Sequence, residues 1–187
     1  NKLRTEKRDH LGSIIEVIEH ANAGLQTTYY GYNAAGDMTY VENAKGYPTL
    51  IDYDARGLKT SMDDPDMGIW SYTYDENGNL STQTDAKENL ITFYYDELNR
   101  VYNKIYTIPA SEPQNTPNVE YRYDGYGLSS CTYCIGQLTS VNNTNVLTKY
   151  DLFDAMGRIK RVTKTISGDE ARVTQTSYDL SGKVTSI

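Results

Sequence analysis

The side chains of this 187-residue chain that are equipped for chemistry are of few kinds: carboxylates that recur at fixed intervals, and one pair of thiols. Asp54, Asp75 and Asp96 follow one another at steps of 21 residues, with Asn33 one step earlier. Two such acids in one pocket would suit a glycosidase, one protonating the leaving group while the other attacks or activates water. Catalysis needs that pair once, whereas a turn needs an acceptor at every turn, so recurrence at each period assigns these acids to turns. The cluster Asp63-Asp64-Pro65-Asp66 lacks the alternating ligands, central glycine and distal glutamate of a calcium loop and reads as a solvated turn. Cys131 and Cys134 form a lone C-x-x-C, and the only histidines, His10 and His20, stand near the other end of the chain, so a zinc site lacks its second half. Residues 135–141, Ile-Gly-Gln-Leu-Thr-Ser-Val, read as turn then strand rather than the helix of a thioredoxin-like site, which leaves structural thiols or a local disulfide. Neither G-x-S-x-G nor a phosphate-binding G-x-x-x-x-G-K-[ST] occurs. No catalytic residue, cofactor or metal ion is expected.

The elements that carry the repeated acids follow from what surrounds each one. The anchors Asn33, Asp54, Asp75 and Asp96 each follow a tyrosine, Tyr32, Tyr53, Tyr74 and Tyr95, and three residues later come Gly36, Gly57, Gly78 and Asn99. Five after three of them stands Met38, Leu80 or Val101, so the unit is Y-D-x-x-G-x-L. In the second copy Lys59 takes the fifth place and Leu58 the fourth, which predicts a one-residue change of register there. Further anchors are Asp9 with Gly12, Asp124 with Gly127, Asp154 with Gly157 and Asp179 with Gly182, eight in all. Asp or Asn at the start of a turn accepts backbone amides further along, and Gly or Asn three residues on tolerates the left-handed backbone that closes a short hairpin loop with a bulge. Each anchor is therefore predicted to begin a hairpin tip. Before the tips, aromatic or apolar residues alternate: Tyr30 and Tyr32, Ile51 and Tyr53, Tyr72 and Tyr74, Phe93 and Tyr95, Tyr121 and Tyr123. Period two places each pair on one face of a strand, and stacking the repeats predicts rows of aromatic rings along that face.

Weaker turns fall midway, at 43–46, 64–68 and 85–89, so one period holds two turns and two strands of ordinary length. Ile14 to Ala21 is β-branched enough to prefer strand over helix. The fold class expected is all-β, an array of tandem hairpins forming a twisted open strip, with residues 1–187 as a single array. Residues 108–117 hold three of the five prolines and read as an inserted surface loop. Asp151 occupies a place that tyrosine, threonine or apolar residues hold in other copies, which predicts a bulged or edge strand. Of 21 aromatic residues 18 are tyrosine, which suits half-wet sheet faces better than a sealed interior. A net charge of −7 without a basic block argues against nucleic acid, and no run of residues is apolar enough for a membrane span. The first residues lack the apolar stretch of a signal peptide.

Tyr74-Asp75-Glu76-Asn77-Gly78-Asn79-Leu80 and Phe153-Asp154-Ala155-Met156-Gly157-Arg158-Ile159 resemble units of the YD-repeat, or Rhs, family, and Gly136-Gln137-Leu138-Thr139-Ser140-Val141 is similar to a stretch that recurs in such arrays. The resemblance covers roughly Asp9 to Val184. It implies a strip of hairpins spiralling into a hollow β-shell, as in bacterial Rhs polymorphic toxins, wall-associated proteins, the shell subunits of insecticidal toxin complexes and teneurins. It further implies a secreted or cell-surface protein whose partners are the rest of its own shell and an enclosed C-terminal effector, released in the toxin branches by an aspartyl-protease-like core. Neither that core nor a variable effector is recognisable in this sequence, so no catalytic residue carries over, and the chain reads as a segment of a longer array whose signal and anchor lie elsewhere. Unpaired strand edges predict edge-to-edge association of copies. The rival reading is a cell-wall carbohydrate- or choline-binding module, in which rings of adjacent hairpins cage a ligand; adhesion through the outer face is a third.

Overall fold

The computed structural model describes residues 3–21, 24–110, 116–128 and 130–187. Residues 111–115, the middle of the expected proline-rich loop, lie outside the described residues, while Pro109 leaves one strand and Pro117 leads into the next. Every described regular element is a strand. The chain divides into two compact units, residues 1–90 and 91–187.

The first unit runs β1 (Arg4–Arg8), β2 (Ile14–Ala21), β3 (Gly24–Tyr32), β4 (Met38–Glu42), β5 (Pro48–Tyr53), β6 (Lys59–Asp64), β7 (Gly68–Tyr74) and β8 (Leu80–Thr84). Each strand pairs antiparallel with its predecessor, so the hairpins lie side by side in chain order. The second unit continues with β9 (Leu90–Tyr95), β10 (Val101–Thr107), β11 (Val119–Tyr123), β12 (Leu138–Asn142), β13 (Val146–Phe153), β14 (Ile159–Ile166) and β15 (Arg172–Gln175), again in chain order. β16 (Ser177–Tyr178) and β17 (Val184–Ser186) form a separate two-stranded hairpin.

Register is set by a bulge that the tips share. Tyr32 faces Met38, Tyr53 faces Lys59, Tyr74 faces Leu80 and Phe153 faces Ile159, each pairing lying just beyond a one-residue slip. The register change predicted for the second copy is therefore absent: Lys59 occupies the same place as Met38 and Leu80, because the turn geometry and not the apolarity of the fifth residue fixes the pairing. Ile14–Ala21 is the strand β2, and β13 is bulged at Asp151.

A single layer of hairpins leaves little to bury. Among the described residues the buried apolar side chains are Val17, Ile51, Cys134 and Phe153, with Thr139 and Ser140 as their polar counterparts. Elsewhere the pleat separates half-covered from exposed positions. In β7, Trp70, Tyr72 and Tyr74 are half-buried while Ile69, Ser71 and Thr73 are exposed. The hairpins are thus joined less by a hydrophobic core than by what passes between neighbouring tips.

Candidate functional site

The repeated feature of the chain is the tip. Asp54 accepts the amides of Arg56 and Leu58 on one carboxylate oxygen, both at 2.9 Å, and the Gly57 amide donates back to the Asp54 carbonyl at 3.0 Å. The same set recurs at Asp9, Asn33, Asp96 and Asp154, with acceptance from the residues two and four ahead. Asp75 accepts the Asn79 amide at 2.8 Å, and Asp179 accepts that of Lys183 at 2.9 Å. The residue three ahead sits in the left-handed region, Gly12, Gly36, Gly57, Gly78, Gly157 and Gly182 among them, and Asn99 does so at φ 58° without being glycine.

At Asp54, Asp75, Asp96 and Asp154 the carboxylate is held in its ionised form. The Leu58 amide, opposed by partial desolvation, keeps Asp54 below the usual carboxylate range, and the Arg100 amide does the same for Asp96. For Asp75 the first cause is the Asn79 side chain. At Asp154 desolvation pulls upward but is outweighed by the backbone and guanidinium of Arg158.

A second set of bonds joins five of the anchors to the preceding hairpin. The hydroxyl of the tyrosine just before an anchor donates to the backbone carbonyl five residues after the previous anchor. The pairs are Tyr32 to Ile14, Tyr53 to Met38, Tyr74 to Lys59, Tyr123 to Val101 and Tyr178 to Ile159, all at 2.9–3.0 Å. Arginines make the same crossing at the tips. Arg100 bridges Asp96 at 2.7 Å and Asp124 at 2.8 Å, Arg158 ties Asp154 to the Asp179 carbonyl, and Arg56 ties Asp54 to the Asp75 carbonyl. The Arg100 and Arg158 guanidinium groups also lie over the rings of Tyr123 and Tyr178, at 4.3 and 4.7 Å.

The residues of the predicted aromatic rows divide between two jobs. Tyr32, Tyr53, Tyr74 and Tyr123 make the hydroxyl stitches, and Tyr95 occupies the equivalent strand position. Tyr30, Tyr72, Phe93 and Tyr121, two residues earlier, are half-buried on the same faces. Lys59 covers Tyr72 at 4.5 Å, and Lys104 covers Phe93 and Tyr106. Tyr94 and Tyr102, outside the predicted rows, make a tilted ring contact at 6.2 Å.

Asp124 and Gly127 depart from the tip pattern. Asp124 itself has φ 59°, which turns its carboxylate away from the amides that follow and toward Gly136, whose amide it accepts at 2.5 Å. Tyr126 donates instead to the Tyr123 carbonyl, and Asp124 donates to Gln137, so residues 124–137 form one long excursion between β11 and β12. A Cys131–Cys134 disulfide lies inside it. A side chain at Gly125 would meet the Cys134 sulfur at 2.8 Å, so only glycine allows the Asp124-Gly125 turn to lie against the bridge.

Other residues doing tip work stand at the midway turns. Asn43 accepts Lys45 and Tyr47, and Asp85 accepts Lys87 and Asn89, the same geometry as the anchors on the opposite side of the strands. Their N-x-x-G and D-x-x-E spellings carried that signal. The tyrosine stitch had a fainter one: tyrosine precedes six of the eight anchors where phenylalanine would serve for packing alone. Among the described residues no group of His, Cys, Asp or Glu is arranged to hold a metal ion.

A model of the RHS repeat matches residues 53–89 and, in a second register, 74–108. Residues 53–108 carry RHS repeats. A comparison with curated proteins finds no match. Among solved structures, the TcdB2-TccC3-Cdc42 crystal structure is similar at 16% identity and a TM-score of 0.72. The Photorhabdus luminescens Tc holotoxin pore is similar at 15% and 0.74, as is TcdB2-TccC3 without its hypervariable C-terminal region. Each match covers 96% of this chain and 10% of the other, so the chain spans about a tenth of the length of the chains it matches. The likeness establishes the fold: antiparallel hairpins laid down in chain order, as in a stretch of those larger chains.

Proposed function

We propose that this chain is a length of wall in a hollow β-shell that encloses a C-terminal effector, in a secreted or surface-exposed protein. The observation that carries this reading is the stitch: a hydroxyl-to-carbonyl bond in the same register at five hairpins, reinforced by arginines bridging adjacent tips. Bonds repeated from hairpin to hairpin serve continuity, whereas a catalytic or receptor site is built once. The fold likeness to the toxin-complex chains supports the same reading, and the short share of their length implies that the cavity is closed by further repeats. Cations of the chain itself already cover Tyr72, Phe93, Tyr123 and Tyr178, the ring faces that caging a sugar or quaternary ammonium would require, which favours the wall over the binding module.

The test is protease protection in the full-length protein that contains these residues. The segment downstream of the repeats is expected to resist digestion, and Tyr74→Ala or Tyr123→Ala is expected to expose it without changing the turnover of the effector once released. Equal digestion of that segment inside the intact protein and after its separation from the repeats would refute the reading.

A further inference from the structure

The excursion 124–137 covers more than its own disulfide. Its Tyr126-Gly127-Leu128 stretch roofs a recess of ≈160 Å³ on β11, β12 and β13, lined by Arg122, Ser140, Asn142 and Lys149. Arg122, Ser140 and Lys149 are direct cross-strand partners, one rung of the sheet, so the two cations flank a serine that is 6% exposed. Strand spacing puts their backbones about 10 Å apart. A second lobe continues past Lys149 to Ser130, Asp151 and Arg161.

The charges in this recess do not balance. Glu120 is held by the Arg122 guanidinium at 2.9 and 3.2 Å. Asp151 is held by Arg161 at 2.6 Å and by the Thr163 hydroxyl at 3.2 Å. Lys149 is half-buried and, among the described residues, no carboxylate pairs with its ammonium. Three cations, Arg122, Lys149 and Arg161, line the two lobes against the one carboxylate of Asp151, and with Glu120 counted as the partner of Arg122 a local surplus of one positive charge remains in a chain whose net charge is −7. A partly desolvated ammonium gains most from an ionised acceptor, and a hydroxyl and an amide beside it supply the neutral donors that fix such an acceptor's orientation.

We propose that this recess binds a small oxyanion, a carboxylate or phosphate group seated on the Lys149 ammonium with Ser140 and Asn142 as further donors. Its volume admits one such group and a few waters. The disulfide lies against Gly125 at the foot of the roof, where a Cβ would meet the Cys134 sulfur at 2.8 Å, and Gly127 carries the roof through a φ of 78° that favours glycine.

The experiment titrates the 187-residue chain with sodium acetate and, separately, with inorganic phosphate, at constant ionic strength made up with chloride. Backbone amide shifts are followed by NMR. Saturable shifts confined to residues around 126–128, 140–142 and 149 are expected, and the arm that saturates at lower concentration identifies the group. Lys149→Met is expected to weaken binding ~tenfold or more, Lys149→Arg to retain it, and Lys45→Met, at a remote exposed turn, to leave it unchanged. Wild-type spectra without saturable shifts in either arm, or equal losses in Lys149→Met and Lys45→Met, would overturn the proposal; the Lys149→Met spectrum in the absence of ligand verifies that the variant folds.

Discussion

At a tip, a single residue is tested by what its backbone must do. Gly78 has φ 83°, and a Cβ there would meet nothing closer than Leu58 at 3.9 Å, so the only obstacle to a larger residue is the left-handed backbone. Gly78→Val is expected to cost about 1–3 kcal/mol in urea denaturation, while Asn99→Gly, at φ 58°, is expected to be neutral or slightly stabilising. The anchors carry a pH dependence of definite sign. A carboxyl held below its usual range in the folded chain contributes stability that is present above the ordinary carboxylate range and is lost as pH falls through its folded-state value. Asp54, Asp75, Asp96 and Asp154 all lie in that direction, so the urea midpoint should be flat near neutrality and fall in the acid range below about pH 4. Asn33 and Asn43 show that an amide oxygen can take the same amides. Asp75→Asn should therefore cost less than Asp75→Ala at pH 7 and should shrink the acid-induced loss. A midpoint that moves equally with pH in Asp75→Asn and wild type would contradict this role for the carboxylate.

Between hairpins, the decisive element is the seam of tyrosine hydroxyls and arginines. Tyr74→Phe keeps the ring and removes only the bond to the Lys59 carbonyl, and is expected to cost about 1 kcal/mol by chemical denaturation. Arg100→Met removes the bridge from Asp96 to Asp124 and the cover over Tyr123, so amide exchange should rise around 96–100 and 121–124. Exchange unchanged in both segments would show the bridge to be ornamental. The tips were legible in the sequence because they are local: an acceptor, amides two and four ahead and a residue tolerant of positive φ fall within five positions. The seam was hidden because its acceptor is a backbone carbonyl, which every residue owns, and only the preference for tyrosine at 32, 53, 74, 95, 123 and 178 hinted at it. Phe153 shows the alternative: it stands before Asp154 without a hydroxyl and is buried to 3% exposure instead. Asp124 was misleading for a different reason. Asp124 and Gly125 both take positive φ, and Gly125 lies against the disulfide, so the D-x-x-G spelling there does not make the tip geometry of the other anchors.

For the whole molecule, few side chains are buried among the described residues, so within each unit stability must accumulate from repeat to repeat. That arrangement suits a surface that divides space better than one that shapes a pocket, and the recess under residues 126–128 is the exception that a long excursion creates. The measurement that bears most directly on this account is a cryo-electron microscopy reconstruction of the full-length protein carrying these repeats. A closed hollow shell is expected, with residues 9–184 lying in its wall, tip beside tip, and polypeptide density inside the cavity. An open strip with the downstream segment outside it would contradict the central claim.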